Sequence, residues 1–578
     1  MQGASCFPVQ YDHFSHRRLA SLAVLVVTIA TAAWADSLSE RADALFAKWD
    51  NPDSPGAAIA IVRDGKLIHA NAFGSSHLGY KVPNEPHTLF EVGSMSKSFM
   101  SALVARLMDE EKIAPDDNIR EYLPELQKVD PPIRIRHLLR CRSGVWAQWH
   151  IVQLAGWSSE PIESPYSKDD LLALYAKQKT FPFQPGEEFL YGSGDFFLLG
   201  LIIERVTGET PASFAHDELF EPLGMTHTHY TENPARPVMH LAAGHHRGPS
   251  GDWLLWSMNA SVQGGWGLKT SVAELVKWAA NFDDNKLPRG RYLDELIHEG
   301  TVLDNRKVLD SQPTGEYRGL KRIQFTGGMP GFRAAITRFP ERRFSVVCLA
   351  NTTEIDATQM TRQIADFYLA DDFEPVREKD QPTPDAVEFV ELTGTDLSDK
   401  VGAYRMGPRG PIWRIDLDAG TLRWTDHRDK TFDLRPVDAT HFRPSGSPID
   451  HNSFIFSRED PVERYTLTLK WPDGSQQLTP VELIEPTADQ LAQFAGRYFS
   501  EELTTTYRIK IDDGSLWLRV NNRRWERLSP VVRDQFAPTV RRAFDNRLLT
   551  FRRNGAGEVV GFDASLFRIG AVPFVRVE

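Results

Sequence analysis

The sequence predicts an α+β domain followed by two smaller antiparallel β domains, in a chain of 578 residues. Two β-rich regions, residues 57–74 and 332–353, enclose a long stretch whose apolar spacing is mostly helical. Strands at both ends of a segment, with helices between them, indicate an α+β domain whose two ends share one sheet. Beyond residue 390, two regions repeat each other at an offset of 94 residues, which predicts a duplicated β unit.

The N-terminus has the pattern of a secretory signal. An apolar run of about 12 residues begins at Leu19, after Arg17-Arg18, and ends at a small-x-small site, Ala33-Trp34-Ala35. We therefore expect residues 1–35 to be removed on export to the periplasm or the medium. The run is too short to cross a bilayer comfortably, and a buried core helix is the alternative. No other stretch reaches the required length, so we expect no integral membrane span in the mature protein.

Composition excludes several classes of function. With 41% hydrophobic and 25% charged residues, the chain is globular rather than disordered. A net charge of −12, with no basic tract, argues against nucleic acid or an anionic membrane surface as a partner. Cys141 and Cys348 are too few for a disulfide framework and are expected to be buried or to form one bridge. His245-His246 lacks a third ligand, so we expect surface histidines, no metal and no cofactor.

The first domain is predicted to begin with an amphipathic helix from Leu38 to Trp49. Asp64-Gly65 lies between two β-rich runs and predicts a hairpin. Strands are likewise expected on either side of residues 340–343, followed by a helix at about 356–369.

A charged, proline-rich stretch at residues 373–390 is typical of a linker. The predicted domains are therefore 36–372, 391–484 and 485–578. Short alternating strands broken by Asp-Gly or Pro turns favour a small closed barrel or a sandwich for each repeat. The repeat is carried by four matched segments at the common offset: 402–404 with 496–498, 418–422 with 512–516, 434–436 with 528–530, and 442–444 with 536–538.

Ser94 and Lys97 lie three residues apart where Gly93 leads into an apolar helical pattern. Residues three apart share a helix face, so a neutral Lys97 amine could accept the Ser94 proton. The positive end of the helix would favour the neutral amine and stabilise an oxyanion. From this segment alone, it is equally plausible that Ser94 caps the helix and that Lys97 is solvated. A Ser-His-Asp triad is disfavoured because the chain has no G-x-S-x-G motif.

Tyr191-Gly192-Ser193 stands directly before a second apolar helical pattern. A tyrosine in such a turn can present its hydroxyl to a cleft or can simply belong to a helix cap. Both this motif and Ser94-x-x-Lys97 open a helix that is predicted to be buried, and together they indicate a site.

The chain resembles the class C β-lactamase and penicillin-binding group of serine hydrolases over roughly residues 40–370. The resemblance is carried by the segments at residues 93–113, 137–145, 191–208, 219–228, 264–282 and 326–332. With its two trailing β units the chain is more similar to the D-aminopeptidase family, in which a catalytic domain precedes two antiparallel β-barrels. The resemblance implies a five-stranded antiparallel sheet flanked by helices.

The resemblance also implies roles for individual residues. Ser94 would be the acylated nucleophile, Lys97 would move its proton, and Tyr191 would act as general base or acid toward the leaving group. Ser193 stands where many relatives carry Asn and would bond Lys97 or the substrate. The backbone N–H groups of Ser94 and of Gly328, on an edge strand, would form the oxyanion hole.

One position departs from the family pattern. The third motif, Phe325-Thr326-Gly327-Gly328, is expected to line the substrate site, but Phe325 replaces the usual Lys or His. That residue commonly contacts a substrate carboxylate or tunes the tyrosine, so its loss argues against strong β-lactamase or carboxypeptidase activity. Lactamase-like carboxylesterases also lack it.

Three functions follow as hypotheses. The leading one is an exported serine hydrolase acting on short D-amino-acid peptides, amides or esters, and the second is a lactamase-like carboxylesterase. The third is a non-catalytic protein that binds penicillin or peptidoglycan. An aminopeptidase needs an anion for the substrate ammonium; Asp534 and Asp545 are candidates, although surface turns are the favoured interpretation of both. The expected partner is a small molecule or short peptide, and a homo-oligomer is left open.

Overall fold

The structure is a computed structural model in which most of the chain beyond residue 36 is described. The predicted signal, most of the predicted linker and Asp545 lie outside the described residues. The described ranges are 37–157, 166–233, 236–248, 250–256, 264–284, 286–288, 290–299, 314–375, 389–407, 412–425, 431–445, 453–460, 463–471, 474–539, 547–566 and 569–577.

The first domain contains thirteen strands among its described residues. They are β1 Ala57–Arg63, β2 Lys66–Phe73, β3 Ser75–His77, β4 Val82–Pro83, β5 Phe90–Glu91, β6 His229–Tyr230, β7 His245–Arg247, β8 Trp253–Leu255, β9 Leu268–Thr270, β10 Thr314–Tyr317, β11 Leu320–Met329, β12 Phe332–Phe339 and β13 Phe344–Ala350.

Helices lie mainly between β5 and β10 and after β13. They are α1 (37–44), α2 Ser96–Asp109, α3 Ile135–Leu139, α4 Gln148–Leu154, α5 Lys168–Tyr175, α6 Gly194–Thr207, α7 Pro211–Ala215, α8 Glu221–Leu223, α9 Val272–Asp284, α10 Arg291–Glu299 and α11 Ala357–Tyr368. A π-helical turn spans His216–Phe220, and short 3-10 turns span Ala47–Trp49, Leu78–Tyr80, Gly93–Met95, Ile119–Glu121, Pro124–Leu126 and Pro340–Arg342.

The main sheet is antiparallel, with strand order β10-β11-β12-β13-β1-β2. β1 pairs with both β2 and β13, so the two ends of the domain share one sheet, as predicted. The sheet has six strands rather than the expected five, because β10 pairs with the first four residues of β11. β11 is therefore not an edge strand at its start. Beyond Ile323 its outer side has no strand partner among the described residues, and this free half carries the third motif.

Two local predictions need correction. The expected helix from Leu38 to Trp49 is broken: α1 ends at residue 44 and a separate 3-10 turn follows at Ala47–Trp49. His245 is not a surface residue, since only 1% of its area is exposed, and burial lowers its pKa. Its ring packs beside the buried Asn351, whose amide donates to the Ala243 carbonyl. Strand β7 starts at His245, which faces inward.

The C-terminal region forms two closed eight-stranded antiparallel barrels, which confirms the predicted fold class. In barrel 1, helix α12 (Gly394–Ser398) precedes β14 Gly402–Met406, β15 Ile412–Asp418, β16 Thr421–Thr425, β17 Thr431–Pro436, β18 His441–Ser445, β19 Ser453–Ser457, β20 Thr466–Trp471 and β21 Gly474–Val481. In barrel 2, helix α13 (Ala488–Ala492) precedes β22 Gly496–Ser500, β23 Thr505–Asp512, β24 Ser515–Val520, β25 Glu526–Pro530, β26 Gln535–Pro538, β27 Leu548–Arg553, β28 Val559–Leu566 and β29 Ile569–Arg576.

The repeat of 94 residues holds at the level of single contacts. Helices α12 and α13 differ by that offset at both ends. The buried Tyr404 hydroxyl donates to the Lys400 carbonyl (2.7 Å), and the buried Tyr498 hydroxyl donates to the Phe494 carbonyl (2.9 Å). In each barrel a tyrosine thus ties its first strand to the chain four residues earlier.

Barrel 2 docks on the first domain through a buried carboxylate, Glu502, in the turn between β22 and β23. Its side chain accepts the backbone N–H groups of Lys179 (2.8 Å) and Thr180 (3.2 Å), and the Thr180 hydroxyl (2.9 Å). Three donors of the first domain therefore share one carboxylate that is only 4% exposed. Unpaired donors in a buried place are costly, so this bond set fixes the barrel to residues 179–180.

Barrel 2 also satisfies the carbonyl end of α4. The Tyr507 hydroxyl donates to the Leu154 carbonyl (2.9 Å), and Thr505 and Asn521 both donate to the Ala155 carbonyl (3.0 and 3.2 Å). The last carbonyls of a helix have no partner within it, so side chains of barrel 2 supply the bonds that would otherwise be missing. The apolar core of barrel 2 is continuous with the larger of two core clusters in the first domain, whereas barrel 1 has a core of its own.

We predict that Glu502→Ala destabilises the protein far more than Glu501→Ala. Removing Glu502 leaves three donors without their acceptor, at a cost of about 2–4 kcal/mol. Glu501 makes an exposed ion pair with the neighbouring Lys179, and such pairs contribute less than about 1 kcal/mol. Urea unfolding of the two variants checks the difference. Equal shifts in the unfolding midpoint would contradict the docking role of Glu502.

Candidate active site

Ser94 lies in the 3-10 turn Gly93–Met95, which runs directly into α2. The turn begins with Gly93 in the left-handed region (φ 52°). A Cβ at Gly93 would lie 2.7 Å from the Gly328 carbonyl oxygen, so both backbone conformation and space require glycine here. The turn thereby brings Ser94 against the third motif on β11.

Lys97 lies one turn further on and is the centre of the site. Its Nζ donates to Ser94 Oγ (3.2 Å) and to the Gly265 carbonyl (3.0 Å). The same nitrogen lies 4.8 Å from the centre of the Tyr191 ring and 5.6 Å from that of Phe196. The side chain is half-buried, so it is not the solvated lysine of the alternative interpretation.

The Gly265 carbonyl is a part of the site that sequence reasoning missed. A Cβ on Gly265 would lie 3.0 Å from both Lys97 Nζ and Ser193 Cβ. The preceding Gly264 has a φ of 138°, and a Cβ there would lie 2.5 Å from the Phe196 carbonyl oxygen. The glycine cluster at residues 264–267 was a usable signal, because close backbone approach is one of the few reasons to place glycines together.

Tyr191 and Ser193 lie at the start of α6. Ser193 is the N-cap residue, although its side chain makes no capping bond, and both residues are half-buried. The Tyr191 ring faces Lys97 Nζ, and Ser193 is in contact distance of Gly265. The structure therefore brings Ser94, Lys97, Tyr191 and Ser193 to one place from two distant parts of the chain, with residues 264–265 as a third.

The third motif runs along the free half of β11. Gly327 packs so closely on the Ser94 turn that an added Cβ would clash with the Val92 carbonyl oxygen. Gly328 turns its carbonyl toward Gly93, away from β12. In an antiparallel pair the N–H and C=O of one residue point to the same side, so the Gly328 N–H also faces the free edge. Thr326 is half-buried next to this edge.

Phe325 points into the protein core rather than to solvent. Its side chain is 8% exposed and its ring stacks on Phe282 of α9, with 6.3 Å between the ring centres. A lysine or histidine at this position would place a polar group next to Phe282. The apolar contact therefore replaces the polar group that the third motif usually supplies.

Strands β5 and β9, which adjoin the Ser94 turn and residues 264–265, carry an acidic and a basic residue at paired positions. Glu91 of β5 and Lys269 of β9 are directly opposite each other, and Lys269 Nζ donates to the Thr231 hydroxyl. Burial raises the pKa of Glu91 and lowers the pKa of Lys269, and each charge partly offsets the effect on the other. Glu91 lies three residues before Ser94 and Lys269 four residues after Gly265, so the pairing aligns both segments.

The structure also describes three other residues that the sequence analysis singled out: Asp534, Cys141 and Cys348. Asp534 binds Arg553 of the same barrel through both carboxylate oxygens (2.6 and 3.1 Å), which commits its charge to that ion pair. Cys141 and Cys348 are both buried, and they form no disulfide with each other. No helix in the described ranges is long and apolar enough to cross a membrane.

The chain is similar in sequence to a family of known proteins. Residues 42–369 match the family model described as Beta-lactamase. A D-aminopeptidase of Gluconobacter oxydans is 24% identical over 78% of this chain and 80% of its own. A D-aminopeptidase of Cereibacter sphaeroides is 26% identical over 90% of this chain and 96% of its own.

A solved structure supports the fold alone. The octameric penicillin-binding protein homologue from Pyrococcus abyssi superposes with a TM-score of 0.50 at 19% identity, and covers 74% of this chain and 96% of its own. The similarity predicted from the sequence motifs is therefore confirmed, both for the family and for the fold.

We predict that the two adjacent glycines of the third motif differ in how well they tolerate alanine. Gly327→Ala should destabilise the protein by about 2–3 kcal/mol or more, because its Cβ meets rigid backbone at Val92. Gly328→Ala should cost less than about 1 kcal/mol, because its Cβ meets only the Arg333 guanidinium, at 3.3 Å, which can move. Thermal unfolding of both variants tests this, and equal losses would refute the close packing of β11 on the Ser94 turn.

Proposed function

Because the chain belongs to the Beta-lactamase family, we propose that it is a serine hydrolase working through a covalent acyl-enzyme on Ser94. The observation that carries the proposal is the position of Lys97 Nζ, 3.2 Å from Ser94 Oγ. A general base must lie within hydrogen-bond reach of the proton that it takes, and Lys97 Nζ meets this condition.

The proposed reaction has two halves. Ser94 Oγ attacks the acyl carbon while its proton passes to Lys97, and the backbone N–H groups of Ser94 and Gly328 receive the oxyanion. The tetrahedral intermediate collapses as Tyr191 gives a proton to the leaving amine or alkoxide. A water molecule then attacks the Ser94 ester and loses a proton to the same Lys97–Tyr191 pair. Cleavage of the ester bond releases the acid, and the pair returns a proton to Ser94 Oγ.

The proposed substrates are short peptides, amides or esters of D-amino acids. Support comes from the D-aminopeptidases above, whose similarity to this chain extends over both barrels in the Cereibacter protein. The loss of the polar group at position 325 also favours a substrate without a free carboxylate next to the scissile bond. We further propose export of the mature enzyme, on the basis of the signal pattern at residues 1–35.

A carboxylesterase is the second candidate, and Phe325 favours it. The Phe325 side chain is buried against Phe282, so position 325 supplies no polar side chain to assist the leaving group. An ester needs less assistance than an amide, because an alkoxide is a better leaving group than an amine anion.

We predict that Ser94→Ala abolishes covalent labelling by a fluorophosphonate probe. Intact-protein mass spectrometry measures the labelling. Lys97→Met and Tyr191→Phe should slow labelling or turnover by at least about 10³-fold and 10²-fold, since each removes a proton-transfer group. Ser98→Ala is the matched control, because this nearby hydroxyl donates to the Met95 carbonyl and does not face the site. Labelling of Ser94→Ala at the native rate would refute the proposed nucleophile.

Substrate preference separates the two candidates. We expect the purified enzyme to hydrolyse D-alanine p-nitroanilide at least about tenfold faster than the L-isomer. We also expect it to hydrolyse a short p-nitrophenyl ester. Release of p-nitroaniline and p-nitrophenol is followed by absorbance, with Ser94→Ala as the blank. Ester turnover without anilide turnover would exclude the aminopeptidase and leave the carboxylesterase.

A further inference from the structure

Barrel 2 differs from the rest of the chain in the sign of its charge. Residues 485–578 hold 15 Lys and Arg against 12 Asp and Glu, whereas residues 391–484, which contain barrel 1, hold 12 against 15. The whole chain has a net charge of −12. An excess of positive charge in one part of an acidic chain indicates a surface that meets an anionic partner. The net charge of the whole chain, which argues against such a partner, therefore does not describe this barrel.

Three arginines form a row across neighbouring strands of barrel 2. Arg497 of β22 pairs with Arg508 of β23, and Arg508 pairs in turn with Arg519 of β24. Residues next to them in sequence lie inside the barrel with no exposed area: Tyr498, Tyr507 and Leu518. Because side chains alternate between the two faces of a strand, all three arginines of this arginine row point outward.

The arginine row lacks an acidic partner at two of its three positions. Among the described residues, no carboxylate oxygen lies within 4.0 Å of a side-chain nitrogen of Arg508 or Arg519. Like charges that are directly opposite on neighbouring strands repel each other, so the row lowers the stability of the barrel. An anionic partner that covers the row would remove this repulsion.

Barrel 1 has the same strand pairing without the arginine row. At the offset of 94, the three positions of the row correspond to Ala403, Arg414 and Thr425, which are paired in the same register. On the same outer face of barrel 1, Arg423 forms ion pairs with two aspartates (2.8 and 3.1 Å). The arginine row is therefore not a requirement of the barrel architecture, since the duplicate forms the same barrel without it.

A tryptophan holds two cations at this surface. Arg519 Cζ and Lys510 Nζ lie 4.8 and 5.0 Å from the centre of the Trp525 ring. Lys510 lies two residues after Arg508 on β23, so it is on the same outer side, where it also pairs with Asp512. A cation beside an aromatic ring keeps its full charge. Trp525 therefore orders the Arg519 guanidinium without neutralising it.

Exposed apolar side chains adjoin the arginine row at β22 and β29. Phe499, two residues after Arg497, is 37% exposed, and its strand partner Val575 is 57% exposed. The Val577 N–H donates to the Arg497 carbonyl (2.8 Å), which places Val577, 48% exposed, beside Arg497. A soluble polyanion offers no contact for these apolar groups. A phospholipid bilayer offers one, because its hydrocarbon lies directly beneath the headgroups.

We propose that this outer face of barrel 2 docks on a bilayer that contains anionic phospholipids. The arginine row meets the lipid phosphates, and Phe499, Val575 and Val577 meet the boundary between headgroups and hydrocarbon. The attachment is peripheral, since these side chains bind at the surface of the bilayer. Each cation near such a surface strengthens binding by about fivefold. The inference is independent of the proposed function, because none of these residues belongs to the Ser94 site.

Co-sedimentation with lipid vesicles measures the docking. The mature chain without residues 1–35 is used, because the apolar run of the signal would itself bind lipid. At about 0.05 M salt, we expect vesicles of phosphatidylcholine with about 30% phosphatidylglycerol to bind the protein at least about tenfold more strongly than pure phosphatidylcholine. At about 0.5 M salt most of this difference should disappear through screening. Equal binding to the two kinds of vesicle, or no binding to either, would overturn the proposal.

Two matched variants separate the arginine row from the net charge of the protein. Arg508→Glu and Arg414→Glu change the net charge equally, at corresponding exposed positions of the two barrels. Arg508→Glu should weaken vesicle binding at least about tenfold, because it removes a cation and adds an anion, whereas Arg414→Glu should change it less than about twofold. Arg508→Glu places an acid between two arginines, so we expect the variant to fold, as circular dichroism checks. Equal losses in both variants would contradict docking through barrel 2.

Phe499→Ser distinguishes a bilayer from a soluble polyanion. It should weaken vesicle binding at least about threefold, because it removes apolar surface and no charge. Val577→Ser, beyond the end of β29, should act in the same direction and decides the question if Phe499→Ser fails to fold. Native vesicle affinity in both serine variants would refute apolar contact with the bilayer. Calorimetric binding of sodium polyphosphate by a protein that does not bind the vesicles would likewise refute the proposal and assign the row to a soluble polyanion.

Discussion

The position of a single nitrogen, Lys97 Nζ, is the constraint on which the site depends. It lies between Ser94 Oγ and the carbonyl of Gly265, a residue 168 positions further along the chain than Lys97. For both contacts to form, the backbone at residues 93–97 and the backbone at Gly265 must approach each other closely. Glycines at 93, 265 and 327 permit this, since a Cβ at any of them would press on the neighbouring segment or on Lys97 itself. The site is therefore preorganised by the fold rather than assembled by side-chain adjustment.

The same closeness determines the electrostatics. Lys97 is half-buried beside the rings of Tyr191 and Phe196, and burial raises the pKa of the nearby Asp195 carboxyl to about 8. Desolvation of the buried carboxyl thus favours its uncharged form.

The two barrels share one architecture but have diverged in their contacts. Barrel 2 contacts the first domain through Glu502, Thr505, Tyr507 and Asn521. At an offset of 94, barrel 1 carries Pro408, Pro411, Trp413 and His427, which cannot make the same set of bonds. Barrel 2 thus holds the end of α4 and residues 179–180, two segments that lie between Ser143 and Tyr191 in the chain. Barrel 1 instead reaches barrel 2, where Arg405 donates to Gln535 (2.6 Å).

How much of the molecule can be predicted from its sequence depends on the range of the interactions involved. The Asp64-Gly65 hairpin, the Ser94–Lys97 pair and the repeat are local or periodic, and the sequence pattern alone predicts all three. The pairing of β11 with β10 and the buried place of His245 were missed, because they depend on distant segments.

Asp195 illustrates the limit of prediction from sequence alone. Its sequence context, an acid in an otherwise apolar run at residues 194–203, already indicates a buried charge. Only the fold shows that Ser143 and Lys97 are the groups that oppose its neutral form. A buried acid in an apolar helix is thus a signal that the sequence carries by itself, because burial of α6 follows from its apolar neighbours. Its hydrogen-bond partner Ser143 cannot be found in the same way, because it lies 52 positions away and only the tertiary structure brings the two side chains into contact.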